Sequence, residues 1–290
     1  MKKKILVIVN AFAHPIKARR MARNLTSFLT NHSLEFEVME TTRNTKQTVV
    51  DHLDETFTDL IIIGGDGTVN EVVNGLKHDI PIAIIPSGTG NDFIKNIEIG
   101  KTVKEQFKTA IEGKIRHVDL GICNDRKFVN GVGIGFDGQI VEDMFSKRVP
   151  LLKGHAAYYY HVLRILAGYR ERAFDYQIDG SKIQKELILL TVANGTTFGG
   201  GFQLTPDARI DDGLLAVCEI GRFSPIKRFM NIHKLSNGTH DTLSSVRFHQ
   251  ARKVKIEKNL LLYAHIDGER MGRPPFDIQI LPGALKIRTH

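Results

Sequence analysis

The first 119 residues alternate short apolar runs with amphipathic stretches, and this alternation constrains the fold more than any other feature of the sequence. Four apolar runs have the length and composition of strands buried on both faces: residues 4–10, 36–41, 59–65 and 80–88. Four stretches carry apolar residues at helical spacing: residues 17–32, 46–55, 69–78 and 102–113. Because parallel strands need crossover connections, a strand that alternates with a helix predicts a parallel sheet flanked by helices.

After about Leu120 the pattern of residue types along the sequence changes. Runs rich in β-branched residues follow one another, separated by Gly, Pro and Asn-Gly turns, and they predict a mostly antiparallel β domain. Residues 144–172 carry a helical pattern instead and predict one or two amphipathic helices within that domain. The stretch GIGFDG at 133–138 superficially echoes a dinucleotide fingerprint, but it opens no clear βαβ unit, so we interpret it as a β-turn.

Length and composition set the number of domains. With 290 residues and 42% hydrophobic content, the chain can bury enough apolar surface for two domains. We predict an α/β domain over residues 1–120 and a β-rich domain over residues 121–290. The sequence leaves open whether the last strand returns to the first domain.

The net charge indicates which kinds of partner fit the chain, and the cysteine content indicates which cellular compartment fits it. The formal net charge of +8 favours an anionic partner such as a nucleotide, a nucleic acid or a lipid headgroup, although it also fits ordinary solubility. Cys123 and Cys218 lie far apart without metal-ligand spacing, which argues against a disulfide framework or a zinc site. The two cysteines fit a reducing compartment best, so we expect a cytoplasmic protein. No apolar run is long enough to cross a bilayer, so if the protein meets lipid, it does so from the water side.

Two glycine-rich turns follow neighbouring apolar runs: GGDGT at 64–68 and PSGTGNDF at 86–93. Such turns let main-chain N–H groups approach an anion, and turns at adjacent strand ends converge on one crevice. Asp66 and Asp92 add negative charge where a polyphosphate would bind, which makes sense only with a cation or a proton transfer. Since the Walker motif and the protein-kinase signatures are both missing from the sequence, the pattern favours metal-assisted phosphoryl transfer of another type.

These motifs resemble the catalytic domain shared by diacylglycerol kinases, sphingosine kinases and the bacterial soluble lipid kinases. The resemblance continues through HVDLG at 117–121, VNGVGIGFDG at 129–138, FGGGFQLTPDARIDDGLL at 198–215 and HIDGE at 265–269, and so covers almost the whole chain. It implies an α/β fold with an N-terminal parallel-sheet nucleotide-binding domain of the NAD kinase or diacylglycerol kinase type. It also implies a C-terminal β-rich sandwich domain, with the active site in the cleft between the domains.

Carried over position by position, the resemblance implies the site residues. The residues that it implies for ATP binding are Asn10, Thr42 (or Thr41), Gly64, Gly65, Asp66, Gly67, Thr68, Asn70, Thr89 and Asp92. Mg²⁺ and the phosphates are positioned by Asp66, Asp92 and Asp119, and a structural Mg²⁺ is held by Asp212 with main-chain oxygens of Arg209 and Leu214. The family's proposed general base maps to Asp267, with Glu269 close by, and the choice between these two stays open.

The chain departs from the family pattern at two places. After the first strand the family usually has N-P-x-[SA]-G, whereas this chain reads NAFAH, so His14 replaces a glycine at the expected phosphate contact. Where the family often has L-L-D-V, this chain has LLAV, which affects only a strand.

The function that we predict is ATP- and Mg²⁺-dependent phosphorylation of a lipid alcohol, with diacylglycerol as the first choice of acceptor. The alternatives are an NAD kinase-like enzyme with a soluble nucleoside acceptor and a catalytically silent lipid or nucleotide binder. We expect peripheral contact with an anionic membrane and no nucleic-acid partner, and we leave a homodimer open. The basic residues Lys147, Arg148 and Lys153 fit a packed helix with a solvated face slightly better than a membrane contact.

Overall fold

The computed structural model describes residues 3–12, 14–41, 44–146 and 155–290. The chain divides into two compact units, one formed by Met1–Val118 with Gly283–His290 and the other by Asp119–Pro282. The C-terminal end of the chain is therefore part of the first unit.

The first unit is built from parallel strands and helices that alternate along the chain. Its strands are β1 (Lys4–Asn10), β2 (Glu35–Thr41), β3 (Asp59–Gly64), β4 (Ile82–Pro86) and the beginning of β5 (Lys114–Cys123). Its helices are α1 (Pro15–Asn31), α2 (Thr45–His52), α3 (Asp66–Gly75) and α4 (Val103–Glu112), with a short 3-10 helix at Phe93–Asn96. Strand β1 pairs in parallel with β2 and β3, and β3 pairs in parallel with β4, which confirms the predicted parallel sheet.

Helix packing explains why the strands of the first unit are apolar. Val7 and Val9 of β1 and Ile63 of β3 pack against Leu25 of α1 and Phe107 of α4 in one core. Strand β2 differs, because it lies at the end of the strand order and most of its residues are exposed or half-buried. The prediction that residues 36–41 are buried on both faces is therefore wrong.

In its described residues, the second unit contains many short strands and three α-helices. Its strands are the end of β5, then β6 (Arg126–Phe128), β7 (Gly131–Gly135), β8 (Arg172–Ile178), β9 (Ser181–Leu187), β10 (Leu189–Ala193), β11 (Leu215–Ile220), β12 (Val246–Ala251), β13 (Lys253–Ile256), β14 (Ala264–Ile266), β15 (Glu269–Gly272) and the beginning of β16 (Phe276–Thr289). Its helices are α5 (Phe136–Ser146), α6 (His155–Gly168) and α7 (Pro225–Asn237), with a short 3-10 helix at His240–Thr242. The end of β16 belongs to the first unit, where Ile287 pairs in parallel with Ile82 of β4.

Two antiparallel layers form the sandwich of the second unit. One layer has the strand order β12-β11-β10-β7-β14-β15, and the other consists of the beginning of β16 with β13, β8 and β9. Ile134, Val192 and Val217 of the first layer share a core with Phe174 and Val254 of the second. The predicted β-rich sandwich is thus confirmed.

Helices α5, α6 and α7 cover the other face of the six-stranded layer, and this arrangement corrects the sequence analysis in several places. GIGFDG is not a β-turn: Gly135, with φ of +93°, ends β7, and α5 begins at Phe136. Helix α7 and strands β8, β9 and β12 were not predicted. Of the helical stretch predicted at 144–172, residues 147–154 lie outside the described residues.

Candidate functional site

The two glycine turns of the first unit lie against each other. Gly65 precedes Asp66, the first residue of α3, and Gly88 follows β4. A Cβ atom built at Gly88 would lie 2.7 Å from the Cα atom of Gly65, so only glycine allows this approach of the two backbones. The turns therefore converge as their positions on adjacent parallel strands predict.

Hydrogen bonds join the two turns. Oδ1 of Asp66 accepts a bond from the main-chain N–H of Phe93 at 3.1 Å. Asn91, which has a φ of +48°, donates from Nδ2 to the main-chain oxygen of Gly88 at 2.9 Å. The carboxylate of Asp66 is thus held in place by the second glycine turn.

A pocket of about 750 Å³, counting the part open to solvent, lies at these turns. Six residues predicted to bind ATP line it: Asn10, Gly65, Asp66, Gly67, Thr68 and Thr89. Six further lining residues were not predicted: Phe12, His14, Glu71, Ser87, Gly88 and Gly90. Glu71 follows Thr68 by three residues and therefore shares its helix face, a spacing that could have identified it.

Two of the unpredicted side chains order this pocket. A ring nitrogen of His14, Nε2, lies 2.8 Å from Oγ1 of Thr89, so the residue that replaces the family's glycine contacts a predicted ATP-binding residue. Oε2 of Glu71 accepts a bond from the main-chain N–H of Thr45 at 2.7 Å and so holds the start of α2 beside the pocket.

Three further residues predicted to bind ATP, Gly64, Asn70 and Asp92, are not among those that line the pocket. Gly64 leaves room for the side chain of Thr68, because a Cβ atom built at Gly64 would lie only 2.5 Å from the Cβ atom of Thr68. Asn70 is buried in α3 and accepts a bond from Asn74, and Asp92 pairs with Lys95 at 2.6 Å. Thr42 lies outside the described residues.

In the second unit, Asp267 organises the turn between β14 and β15. Its φ is +48°, and its carboxylate accepts bonds from three consecutive main-chain N–H groups, those of Val129, Asn130 and Gly131, at 2.8, 3.0 and 2.8 Å. This side chain therefore fixes the main chain at the start of β7, in addition to any role in catalysis. Its neighbour Glu269 forms an ion pair with Arg126.

A second acidic group lies close to this turn. Oδ2 of Asp137, at the start of α5, is 3.1 Å from Nε2 of His265, and the N–H of Gly268 donates to Nδ1 of the same histidine at 3.3 Å. Both Asp137 and His265 are buried. Asp137 was not identified from the sequence because GIGFDG was interpreted as a turn.

The predicted structural metal site also lies within the second unit. The N–H of Asp119 donates to the main-chain oxygen of Ile210 at 2.6 Å, and its Oδ2 accepts from the N–H of Gly213 at 2.7 Å. Oδ1 of Asp212 accepts from the N–H of Leu214 at 3.0 Å. Within the described ranges no three His, Cys, Asp or Glu side chains come together as a metal site, so a cation here would depend on main-chain oxygens. That oxygen-only donor set fits Mg²⁺, a hard cation.

A narrow apolar cavity of about 80 Å³ lies between helices α5, α6 and α7 and the six-stranded layer of the second unit. Its apolar lining comes from α5, α6, α7 and the adjacent strands: Phe136, Ile140, Val162, Leu166, Ile188, Leu189, Phe202, Leu204, Ile220, Phe223, Ile232, Leu235, Leu243 and Val246. Asp137 is also among the lining residues. Arg228, which also lines the cavity, is paired with Glu171 at 3.0 Å and donates to the main-chain oxygen of Leu166.

Comparisons with known proteins decide the family. Residues 4–123 match the family described as the diacylglycerol kinase catalytic domain, and residues 130–289 match the YegS C-terminal NAD kinase beta sandwich-like domain. The chain is 31% identical over 223 residues to a diacylglycerol kinase of Bacillus subtilis strain 168, which covers 75% of this chain and 73% of that protein. The chain belongs to the diacylglycerol kinase family.

Solved structures agree with this family's fold. A diacylglycerol kinase of Bacillus anthracis strain Sterne matches with a TM-score of 0.72 at 20% identity, covering 100% of this chain and 97% of that chain. An NAD kinase of Archaeoglobus fulgidus in complex with ATP matches with a TM-score of 0.53 at 13% identity, covering 99% and 93%, which is a likeness of fold alone. The predicted fold class, family and enzyme class, a kinase of the lipid kinase type, are confirmed. No helix in the described part of the chain is long and apolar enough to cross a membrane.

Proposed function

We propose that this protein transfers the γ-phosphoryl group of ATP to the hydroxyl group of a lipid alcohol, with diacylglycerol as the first acceptor and phosphatidic acid as the product. The observation that carries the proposal is the apolar cavity of the second unit, which has Asp137 in its lining. A soluble nucleoside would bury little apolar surface there, whereas part of an acyl chain could be buried against such a lining. The diacylglycerol kinase of Bacillus subtilis supports the same choice of acceptor.

The first unit supplies the nucleotide site in this proposal. The glycine turns at Gly65 and Gly88 present main-chain N–H groups to the phosphates, and Thr68, Thr89 and His14 offer side-chain contacts in the same pocket. When bound, Mg²⁺ offsets the phosphate charge and withdraws electron density from the transferred group. Asp66 would hold it, because its carboxylate lines the pocket and is fixed by the N–H of Phe93.

The second unit supplies the acceptor site. The acyl chain occupies the cavity, and the hydroxyl end lies toward Asp137 and the adjoining His265. Asp267, in the turn that contacts His265 through the N–H of Gly268, accepts the hydroxyl proton as the general base. Its three main-chain donors fix its orientation, and Glu269 remains the alternative base.

The test is ATP consumption with a panel of lipid alcohols in mixed micelles and NAD as a control acceptor. We expect consumption to depend on the lipid alcohol, with diacylglycerol the most active, and NAD to give the background rate. Consumption that rises with NAD and not with any lipid alcohol would contradict the proposal.

The proposed structural cation has a separate test. Asp212→Ala should reduce the rise in melting temperature that Mg²⁺ produces in the parent, because Asp212 contributes the charged oxygen ligand. Asp207→Ala, which removes an exposed acid of the same loop, serves as the matched control and should respond like the parent. Equal responses of the two variants would argue against the site.

A further inference from the structure

Helix α7 exposes an apolar face to solvent. Ile226, Phe229 and Met230 are 73%, 42% and 65% exposed, and their spacing of three and four residues places them on one side of the helix. The opposite side carries Ile232 and Leu235, which line the apolar cavity. The helix is therefore apolar on the side that faces the cavity and also on the side that faces solvent. A helix that only covers a core needs an apolar face on one side.

The charged residues of the segment that contains this face are all positive. Residues 221–240 contain no Asp or Glu, and they include Arg222, Lys227 and Lys234. With 3.6 residues per turn, Lys227 and Lys234 lie two turns apart along one flank of the apolar face. Lys227 is exposed and also lines the cavity, so the basic flank adjoins the cavity itself.

We propose that α7 docks on the surface of an anionic lipid bilayer, with Ile226, Phe229 and Met230 inserted at the interface and the lysines facing the headgroups. This proposal rests on the proposed function, because it explains how a lipid would pass from a bilayer to the cavity beneath the same helix. The combination of an apolar face, a basic flank and no acidic residue is the pattern of helices that lie in a membrane interface. A second copy of the chain fits less well, because three side chains cover only part of the roughly 800 Å² per partner that a specific protein interface buries.

The proposal places the membrane contact outside residues 144–172, for which the sequence favours a packed helix slightly over a membrane contact. Within the described part of that segment, Arg164 forms an ion pair with the buried Asp143, and Arg172 lies against the Tyr169 ring. These basic side chains are engaged within the second unit, while α7 presents both apolar and basic groups on its surface.

The test compares vesicle binding by the parent, the triple variant Ile226→Gln/Phe229→Gln/Met230→Gln and the matched control Leu260→Gln/Leu261→Gln. Both control residues are 61% exposed apolar side chains of the same unit. The readout is sedimentation with vesicles of phosphatidylcholine and phosphatidylglycerol. We expect the triple variant to lose roughly tenfold or more in partitioning, because the loss of apolar side chains removes much of the interfacial burial, and we expect the control to bind like the parent.

Either of two vesicle results would overturn the proposal: a triple variant that binds vesicles as the parent does, or a control that loses as much binding as the triple variant. Sedimentation equilibrium without lipid tests whether a second copy of the chain binds this face instead. A dimer that forms in the parent and not in the triple variant would also overturn the docking proposal. Thermal melting verifies the fold, and Ile226→Gln/Met230→Gln replaces the triple variant if that variant is unfolded.

A measurement of activity distinguishes failure of the docking proposal from failure of the proposed function. A short-chain diacylglycerol, supplied below its micelle concentration, should be phosphorylated equally by the parent and the triple variant, whereas long-chain diacylglycerol in vesicles should be phosphorylated more slowly by the variant. If the parent phosphorylates neither lipid, the proposed function fails, and the vesicle result still decides whether α7 docks. If the parent phosphorylates both and the variant matches it on both, the docking proposal fails and the function stands.

Discussion

The glycine-turn pocket of the first unit and the apolar cavity of the second unit are built in opposite ways. The pocket comes mainly from two short stretches, 65–71 and 87–90, and presents glycine main chain with a few polar groups. The cavity is lined by side chains drawn from positions between 136 and 246, and those side chains are mostly apolar. The difference matches the ligands that we propose: main-chain N–H groups at a turn can bind phosphate, whereas an acyl chain requires an enclosing surface from many elements.

The largest loss of activity should come from a change in the glycine-turn pocket of the first unit. Asp66→Asn keeps an oxygen that can accept from the N–H of Phe93, so the turn should keep its structure. The amide cannot hold Mg²⁺ as a carboxylate does, and a metal contributes several kcal/mol to transition-state stabilisation, so we expect kcat to fall roughly 10³-fold or more. The measurement is lipid phosphorylation together with the melting temperature. Near-normal turnover by the folded variant would contradict the role of Asp66, and Asp51→Asn, an exposed acid of α2, is the matched control.

Asp267 tests the proposed general base of the second unit. If it is the general base, Asp267→Ala should lower kcat at least about 10²-fold while the affinity for ATP is retained. The same change removes the acceptor of three main-chain N–H groups, so the melting temperature should also fall. Glu269→Ala, measured in parallel, distinguishes the two acids, since a larger loss of kcat in that variant would make Glu269 the base.

The cavity itself is tested by partial filling. Leu235→Phe places a ring in space that we assign to an acyl chain, and we expect KM for long-chain diacylglycerol to rise roughly tenfold. KM for ATP and for a short-chain acceptor should stay unchanged. Ile183→Phe, at a half-buried apolar position of β9 outside the cavity, is the control. Equal effects on long-chain and short-chain acceptors would show that the cavity does not hold the chain.

The smallest effect on activity should come from a polar cluster within the second unit. Buried Glu219 accepts from the hydroxyl of Tyr176 at 2.5 Å and from Nζ of Lys185 at 2.7 Å. Burial alone would raise the pKa of Glu219, but the bonds from Lys185 and Tyr176 outweigh it and lower that pKa. A carboxyl with a lowered pKa stabilises the fold above the ordinary glutamate range, and this contribution is lost as the pH falls through its folded pKa.

Tyr176→Phe should therefore lower the free energy of unfolding by about 1.5–3 kcal/mol at neutral pH, the range for a hydrogen bond to a charged group, and by less in acid. Urea unfolding of parent and variant at neutral and acidic pH measures the difference. Tyr263→Phe, whose hydroxyl accepts only an exposed bond from Arg273 among the contacts described, should have little effect. A difference that grows as the pH falls would contradict the assignment of Glu219 as the charged partner.

The two sites differ in how far the sequence could predict them. Gly65 and Asp66 were identified because a glycine turn after a buried strand is a local pattern with a local function. Leu235 and Ile232 were missed because α7 is a short helical pattern in β-rich sequence, and nothing in it shows which strands it covers. Asp137 was missed because Gly135 and Gly138 suggested a turn, whereas Gly135 ends a strand and α5 begins at the next residue.

His14 and Asp267 show a further limit. His14 was noticed as a departure from the family's glycine, but its contact with Thr89 depends on how two loops meet. The three N–H donors of Asp267 lie about 137 positions away in the chain, a long-range pairing that a motif cannot reveal. Motifs identified the chemistry, and tertiary structure determined the partners of each group.

The central claim is that one protein joins a phosphate-binding pocket to an apolar acceptor site in a single transfer. The most direct measurement uses ATP radiolabelled at the γ-phosphate, with diacylglycerol and NAD offered as separate acceptors, followed by separation of the organic and aqueous products. The account predicts label in phosphatidic acid, no label in phosphorylated NAD, and loss of the lipid product with Asp66→Asn. Label that appears in phosphorylated NAD, or only in free phosphate whichever lipid alcohol is present, would contradict it.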